Sequence, residues 1–157
     1  MDEISFIYED DNIELTKYET IFETLLKITK MHLNINQTLL LSVFFILPEK
    51  SILLNKTYRN KEYVGDVISF PIDDPSGIYD QIGFKEIGDI FITYNEAQNK
   101  ALKYKHKIDD EMCWLFVHGL LHVLGYDHEV DEKQEKIMFN LTESILKEVN
   151  VMYDIVV

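Results

Sequence analysis

Apolar and polar positions along this chain recur with two periods, one typical of helices and one typical of strands. Between residues 18 and 33 the apolar side chains at 21, 22, 25, 26, 28 and 33 fall on one face of a helix. The run 39–47 is apolar and β-prone and ends at Pro48, which predicts an interior strand followed by a helix that begins at the proline. The pattern predicts strands at 4–8, 39–47, 67–70 and 86–93, and helices at 18–33, 48–58, 95–104, 109–124 and 132–149.

This order of elements predicts an α+β fold, with a small mixed β-sheet packed against several α-helices. A stretch rich in proline, aspartate and glycine at 71–83 separates the last two predicted strands. No repeat or linker divides the sequence, and 157 residues is an ordinary size for one domain. We therefore expect a single domain over residues 1–157.

The predicted helix 109–124 is apolar almost all the way round, which is unusual for a helix of a small protein. Such a helix should run through the core and not along the surface. Asp109 or Asp110 can cap its start, and Glu111 places a negative charge near the positive end of the helix dipole.

Composition narrows the class of protein. With 46% apolar residues and three prolines the chain is globular, and the single cysteine, Cys113, leaves no internal disulfide and fits a reducing cytoplasm. The first residues, Met-Asp-Glu-Ile-Ser, lack the basic start of a signal peptide. The run 39–47 is nine residues long, whereas a bilayer needs about 20. We expect a soluble cytoplasmic protein with no membrane contact.

The net charge of −13 argues against tight binding to free RNA, because phosphates attract basic surfaces. The charge is unevenly distributed, however, since residues 1–14 carry six acids and no base. Lys100, Lys103, Lys105 and Lys107 cluster just before the apolar helix. They form either a solvated helix end with its loop or a track for phosphates, and the sequence leaves both readings open.

Three of the five histidines, His118, His122 and His128, fall within eleven residues. The first two are four residues apart, so both imidazoles project from one face of the predicted helix. If the helix continued, His128 would lie about 9 Å further along the axis, too far to share an ion with nitrogens about 2.0–2.1 Å from it. Gly125 stands where a helix stop is needed, since glycine tolerates the left-handed conformation. The spacing predicts a three-histidine metal site.

Three neutral nitrogen ligands suit a divalent ion with an open coordination position and favour zinc, and an open position points to catalysis. Cys113 is a poor fourth ligand, because it lies about 140° around the helix from His118, and it reads as a small core residue. The spacing also occurs in metzincin proteases. Those proteases carry a glutamate that acts as general base where this chain has Gly119. The sequence therefore lacks the main feature that would identify it as such a protease.

The segment 118–128, His-Gly-Leu-Leu-His-Val-Leu-Gly-Tyr-Asp-His, resembles the signature of the YbeY family of bacterial endoribonucleases. Supporting blocks occur in the expected order: Leu-Asn-Lys-Thr-Tyr-Arg at 54–59, Asp-Val-Ile-Ser-Phe-Pro at 66–71 and Gly-Asp-Ile at 88–90. Gly65 departs from the pattern, which has threonine before Asp-Val. The likeness covers most of the chain.

The resemblance implies a single-strand-specific, zinc-dependent endoribonuclease that acts in 16S rRNA maturation and ribosome quality control. It implies one Zn²⁺ per chain in a cleft at the surface, held by His118, His122 and His128, with ribosomal RNA and the small ribosomal subunit as partners. It leaves the protein partners unknown. Two alternatives are a metal-dependent amide or ester hydrolase, which Gly119 disfavours, and a ribosome-assembly binding factor whose metal is structural.

Arg59 is the only arginine among 15 basic residues. Its planar guanidinium can bind a phosphate through two hydrogen bonds, as lysine cannot. From the residues alone, a phosphate contact and a structural salt bridge to Asp66, Asp89 or another acid are equally good readings. The resemblance favours a catalytic role for Arg59 against the substrate phosphate.

Overall fold

The computed structural model describes residues 2–59, 65–72, 82–126 and 131–151. Secondary-structure elements occupy most of these ranges. In chain order they are β1 (Glu3–Tyr8), a 3₁₀ helix (Ile13–Lys17), α1 (Tyr18–Leu33), β2 (Thr38–Ile46), α2 (Pro48–Arg59), β3 (Val67–Pro71), β4 (Phe84–Thr93), α3 (Tyr94–Tyr104), α4 (Ile108–Val123) and α5 (Glu132–Lys147).

The described strands form one mixed sheet in the order β1-β2-β4-β3. The pairs β1–β2 and β2–β4 are parallel, whereas β3 runs antiparallel to β4 at the edge of the sheet. The register of β2 on β4 shifts between Leu40 and Leu41, next to Gly88, whose φ is +147°. A Cβ at Gly88 would lie 2.3 Å from the backbone oxygen of Phe70, so the neighbouring strand can approach only a glycine here.

One face of the sheet carries the main core. Alternate residues of β2 from Leu39 to Phe45 are buried beneath α1 and α4, as expected for a strand with one face in the core. Phe22 of α1 stacks on Phe116 of α4 with ring centroids 4.3 Å apart. Helix α5 packs on α4 and α1 from outside, so α4 is enclosed on several sides.

The opposite face is covered in part by α2, which begins at Pro48. Ile46, Leu54 and Ile68 form a second, smaller apolar cluster there, with Phe44 and Phe91 packed against it. The edge strand β3 is thereby contacted by α4 on one side of the sheet and by α2 on the other.

The structure confirms the predicted α+β class, and each predicted helix and strand begins and ends within two residues of the observed one. The 3₁₀ helix was not predicted, although its Leu15 is fully buried. Residues 73–81 of the predicted excursion lie outside the described residues. Within the described ranges, every helix is too short or too polar to cross a bilayer.

The predicted cap of α4 is wrong. The N-cap is Lys107, and no side chain caps the helix. Asp109 lies inside the first turn, where its carboxylate accepts a hydrogen bond of 2.8 Å from the hydroxyl of Tyr18 and lies 3.3 Å from Lys17 Nζ. Asp109, Asp110 and Glu111 still supply the expected negative charge at the positive end of the helix.

Candidate metal and active site

Helix α4 brings His118 and His122 together on one face, as their spacing predicts. Their Nε2 atoms are 3.2 Å apart, and the two rings meet edge to face at 79° with centroids 4.6 Å apart. His118 is buried, and His122 is half-buried. Because every residue from Glu111 to Leu121 is buried, the backbone that carries the pair is held by core packing.

The geometry of the pair fits a shared divalent ion. Two nitrogens, each about 2.0–2.1 Å from a tetrahedral ion, lie about 3.3 Å apart, close to the observed separation. Without an ion, the same distance lets one ring N–H donate to the other nitrogen. Small movements alone would therefore convert the pair into two metal ligands.

The predicted helix stop is present after His122. Gly125 has φ +105°, its N–H donates to the His122 carbonyl at 3.0 Å, and Tyr126 N–H donates to the Leu121 carbonyl at 2.9 Å. These two bonds make a Schellman motif, which ends the helix and turns the chain. His128 lies outside the described residues. Among those described, no third histidine, cysteine or acid joins the pair, so the third ligand stays a prediction.

Gly119 faces the sheet. A Cβ at this position would lie 2.8 Å from Ile90 Cγ2, 3.1 Å from Ser69 Oγ and 3.2 Å from Val67 Cγ2. Helix α4 therefore approaches β3 and β4 more closely than any larger residue allows. A glutamate at 119 would be driven into the core and could not serve as a base beside the histidines, which removes the structural basis for a metzincin-like protease.

Cys113 is a buried core residue, as predicted. Its side chain lies among the core cluster with 3% of its surface exposed. Burial, followed by the charges of Asp110 and Asp109, raises the pKa of the thiol to about 12. A thiol held neutral in this way is a poor metal ligand.

Arg59 is the last residue of α2, and its side chain is outside the described part of the structure. The preceding Tyr58 packs edge-on against Phe70 of β3, with ring centroids 5.3 Å apart. The end of α2 thus borders the same strand as α4. Asp66, one of the acids considered as a partner for Arg59, is bound by Lys100. The role of Arg59 stays a prediction.

A charged cluster that sequence reasoning missed, here called the Lys100 cluster, joins α4 at Glu111, about two turns before His118. Lys100 Nζ is 2.9 Å from Asp66 Oδ2 and 3.4 Å from Glu111 Oε1, and His106 Nδ1 is 3.3 Å from the other oxygen of Glu111. Glu111 is fully buried. Burial alone would lower the pKa of Lys100, but Asp66 and Glu111 raise it above its ordinary value. The sequence feature that could have revealed the cluster is Glu111, because an acid on a helix predicted to run through the core needs a basic partner.

The lysine-rich segment before α4 divides into two parts. Lys100 points into the cluster just described, whereas Lys103, Lys105 and Lys107 are exposed. Lys105 ends α3 in a left-handed conformation, with φ +60°. Three lysines are thus available to a partner, and the choice between a solvated helix end and a phosphate track stays open.

Proteins of one family are similar to this chain over most of its length. The family model described as "Endoribonuclease YbeY" matches residues 3–150. The protein of that name from Mycoplasma mycoides is 43% identical over 146 residues, which is 93% of this chain and 88% of the relative. The one from Mesoplasma florum is 39% identical over 152 residues, or 97% of this chain and 89% of the relative.

A solved structure shows the same fold. The solution structure of TM1509 from Thermotoga maritima has a TM-score of 0.60 and is 22% identical, covering 94% of this chain and 91% of that protein. At this identity the likeness concerns the fold alone.

Proposed function

The chain belongs to the YbeY family of endoribonucleases, and from that premise we propose that it cuts single-stranded RNA during 16S rRNA maturation and ribosome quality control. Membership makes the chain a metal-dependent hydrolase of phosphodiester bonds. The proposed substrate is ribosomal RNA on the small ribosomal subunit. A cytoplasmic location follows from that substrate.

The observation that carries this proposal is the pair of Nε2 atoms 3.2 Å apart on a buried helix. We propose that His118, His122 and His128 hold one Zn²⁺ per chain. The ion, when bound, supplies Lewis acidity that makes water a better nucleophile and offsets negative charge on the phosphate. The Schellman turn at Gly125 supports the third ligand, because it ends the helix before the chain reaches His128.

The chain's own residues have separate tasks in this proposal. Helix α4 fixes two ligands before any substrate arrives, so little reorganisation is needed. Arg59 would donate two hydrogen bonds to the phosphate and stabilise the charge that builds up during cleavage. We assign no general base, since Gly119 is packed against the sheet.

The test is the variant His122→Ala, with His32→Ala as the matched control. His32 lies on α1, and its ring is paired with Glu148. Bound zinc per chain would be measured by elemental analysis, and cleavage of a labelled single-stranded RNA would be followed with and without a chelator. We expect His122→Ala to lose metal and cleavage while it remains folded, and His32→Ala to keep both.

Stoichiometric zinc in folded His122→Ala would contradict the three-histidine site. Zinc without RNA cleavage in the unaltered protein would instead favour a structural metal. Cleavage of a peptide but not of RNA would favour an amide hydrolase, which the packing of Gly119 opposes.

A further inference from the structure

The Lys100 cluster has a feature that stability alone does not explain. Lys100 and Asp66 have about a quarter of their side-chain surface exposed, and Glu111 has none. Removing such charges from water costs about as much as their attraction returns, and apolar residues of similar size often stabilise a protein as well. A buried ion pair of this kind is therefore better explained by what it positions.

What it positions is the indole of Trp114. Lys100 Nζ lies 4.7 Å from the centroid of that ring, within the range of a cation–π contact. The ammonium group is held from two sides, by Asp66, which directly precedes β3, and by Glu111 on α4. The cation is thus fixed over the ring, and it cannot swing away without breaking two ion pairs.

Trp114 in turn contacts His118. Their rings stack with centroids 4.5 Å apart and an interplanar angle of 17°, one helical turn apart on α4. The plane of an imidazole decides where its nitrogen lone pair points. Stacking on Trp114 therefore fixes the direction of His118 Nε2, which lies 3.2 Å from His122 Nε2.

We propose that Lys100 is a positioning residue for the metal site, which holds Trp114 against His118 so that both imidazole nitrogens face one ion. This role rests on the proposed function. The positive charge of Lys100 does not repel a metal ion here, because Lys100, Asp66 and Glu111 together carry a formal charge of −1. The partners of metal-ligating histidines usually affect metal affinity about 10–100-fold.

The experiment measures metal binding by the metal-free full chain, without RNA. Zn²⁺ affinity is obtained by competition with a chromophoric chelator, and the visible absorption of the Co²⁺-loaded protein reports the geometry around the ion. Trp114 is the only tryptophan, so its fluorescence follows metal binding at the adjacent His118. Melting temperatures show which variants are folded.

The first variant is Lys100→Met, which keeps an unbranched stem and removes the charge. The second variant, Lys100→Met with Glu111→Gln, also removes the buried carboxylate that the first leaves without Lys100. If the single variant does not fold, metal binding by the double variant tests the role of Lys100. The matched control is Lys103→Met on the same helix, where the ammonium lies 5.3 Å from the Tyr104 ring and the side chain is exposed.

We expect folded Lys100 variants to bind Zn²⁺ about tenfold more weakly and to show a changed Co²⁺ spectrum, whereas Lys103→Met behaves as the unaltered protein. Zn²⁺ affinity within twofold of the unaltered protein, together with an unchanged Co²⁺ spectrum, would overturn the role of Lys100 and leave the metal site standing. Failure of the unaltered protein to bind either ion would overturn the proposed site and this role with it.

Discussion

The residues proposed to hold the metal and those proposed to meet the substrate are positioned by different kinds of structure. His118 and His122 lie on α4, where the side chains from Glu111 to Leu121 are all buried. Arg59 is the last residue of α2, and the exposed lysines lie at and after the end of α3. The proposed metal geometry would therefore be fixed by core packing, while the proposed substrate contacts would be made from the ends of helices. Changes in the first region should alter stability and metal binding together, and changes in the second should leave stability intact.

The largest effect is expected for Gly119→Glu, which restores the residue type that metzincin proteases carry at this position but points it into the sheet. The new side chain would enter the 2.8 Å gap to Ile90, and its carboxylate would be buried where the nearest groups, on Ile90, Ser69 and Val67, include no base. Overpacking and an unpaired buried charge together cost about 5 kcal/mol or more, comparable with the whole stability of a domain. We expect no cooperative thermal unfolding transition.

The control for Gly119→Glu is Ser144→Glu on the exposed face of α5, which should melt as the unaltered protein does. A folded Gly119→Glu with normal melting temperature would show that α4 can move away from the sheet. The core would then not be what fixes the histidine pair.

The same comparison explains how much could be predicted from the sequence. The elements followed from hydrophobic periods, because burial of one helix or strand face imposes those periods directly. The histidine pair and the stop at Gly125 followed from helix geometry. The Lys100–Glu111 contact joins two different helices. A contact between separate elements produces no repeating pattern in the sequence, so it could not be predicted in the same way. Asp109 was misassigned as a cap because Tyr18, far away in sequence, engages its carboxylate.

The next largest effect is expected for Arg59→Lys, which should lower RNA cleavage without changing stability. Arg59→Lys keeps the charge but loses the planar fork, so RNA cleavage should fall about 10²–10³-fold if the guanidinium stabilises the phosphate in the transition state. Metal content and melting temperature should not change, because surface ion pairs contribute only about 0–1 kcal/mol. Cleavage, zinc content and melting are measured on one preparation. Normal cleavage would remove Arg59 from the site, and a large fall in melting temperature would make it structural.

A smaller effect is expected where the two regions join, at the turn after His122. Gly125 has φ +105°, so alanine there should cost about 1–2 kcal/mol and displace the chain that leads to His128. We expect lower stability in urea and weaker zinc binding. Gly83→Ala is the matched control, because Gly83 also has positive φ, +82°, and open space around it. Equal loss of zinc affinity in both variants would mean that backbone strain, and not the position of the third ligand, is responsible.

The smallest effect concerns Lys103, Lys105 and Lys107, and it decides between the two readings of that segment. Each lysine that contacts a phosphate of single-stranded RNA adds about 0.7 to the slope of log affinity against log salt. Changing all three to glutamine should therefore lower the slope by about 2 if they form a phosphate track, and leave it unchanged if they are a solvated helix end. The control replaces the exposed lysines of α5, Lys133, Lys136 and Lys147, with glutamine. Both variants have the same net charge, so a difference between their slopes isolates local contact from the overall field of an acidic protein. Equal slopes would assign the segment to solvent and leave Arg59 as the proposed phosphate contact.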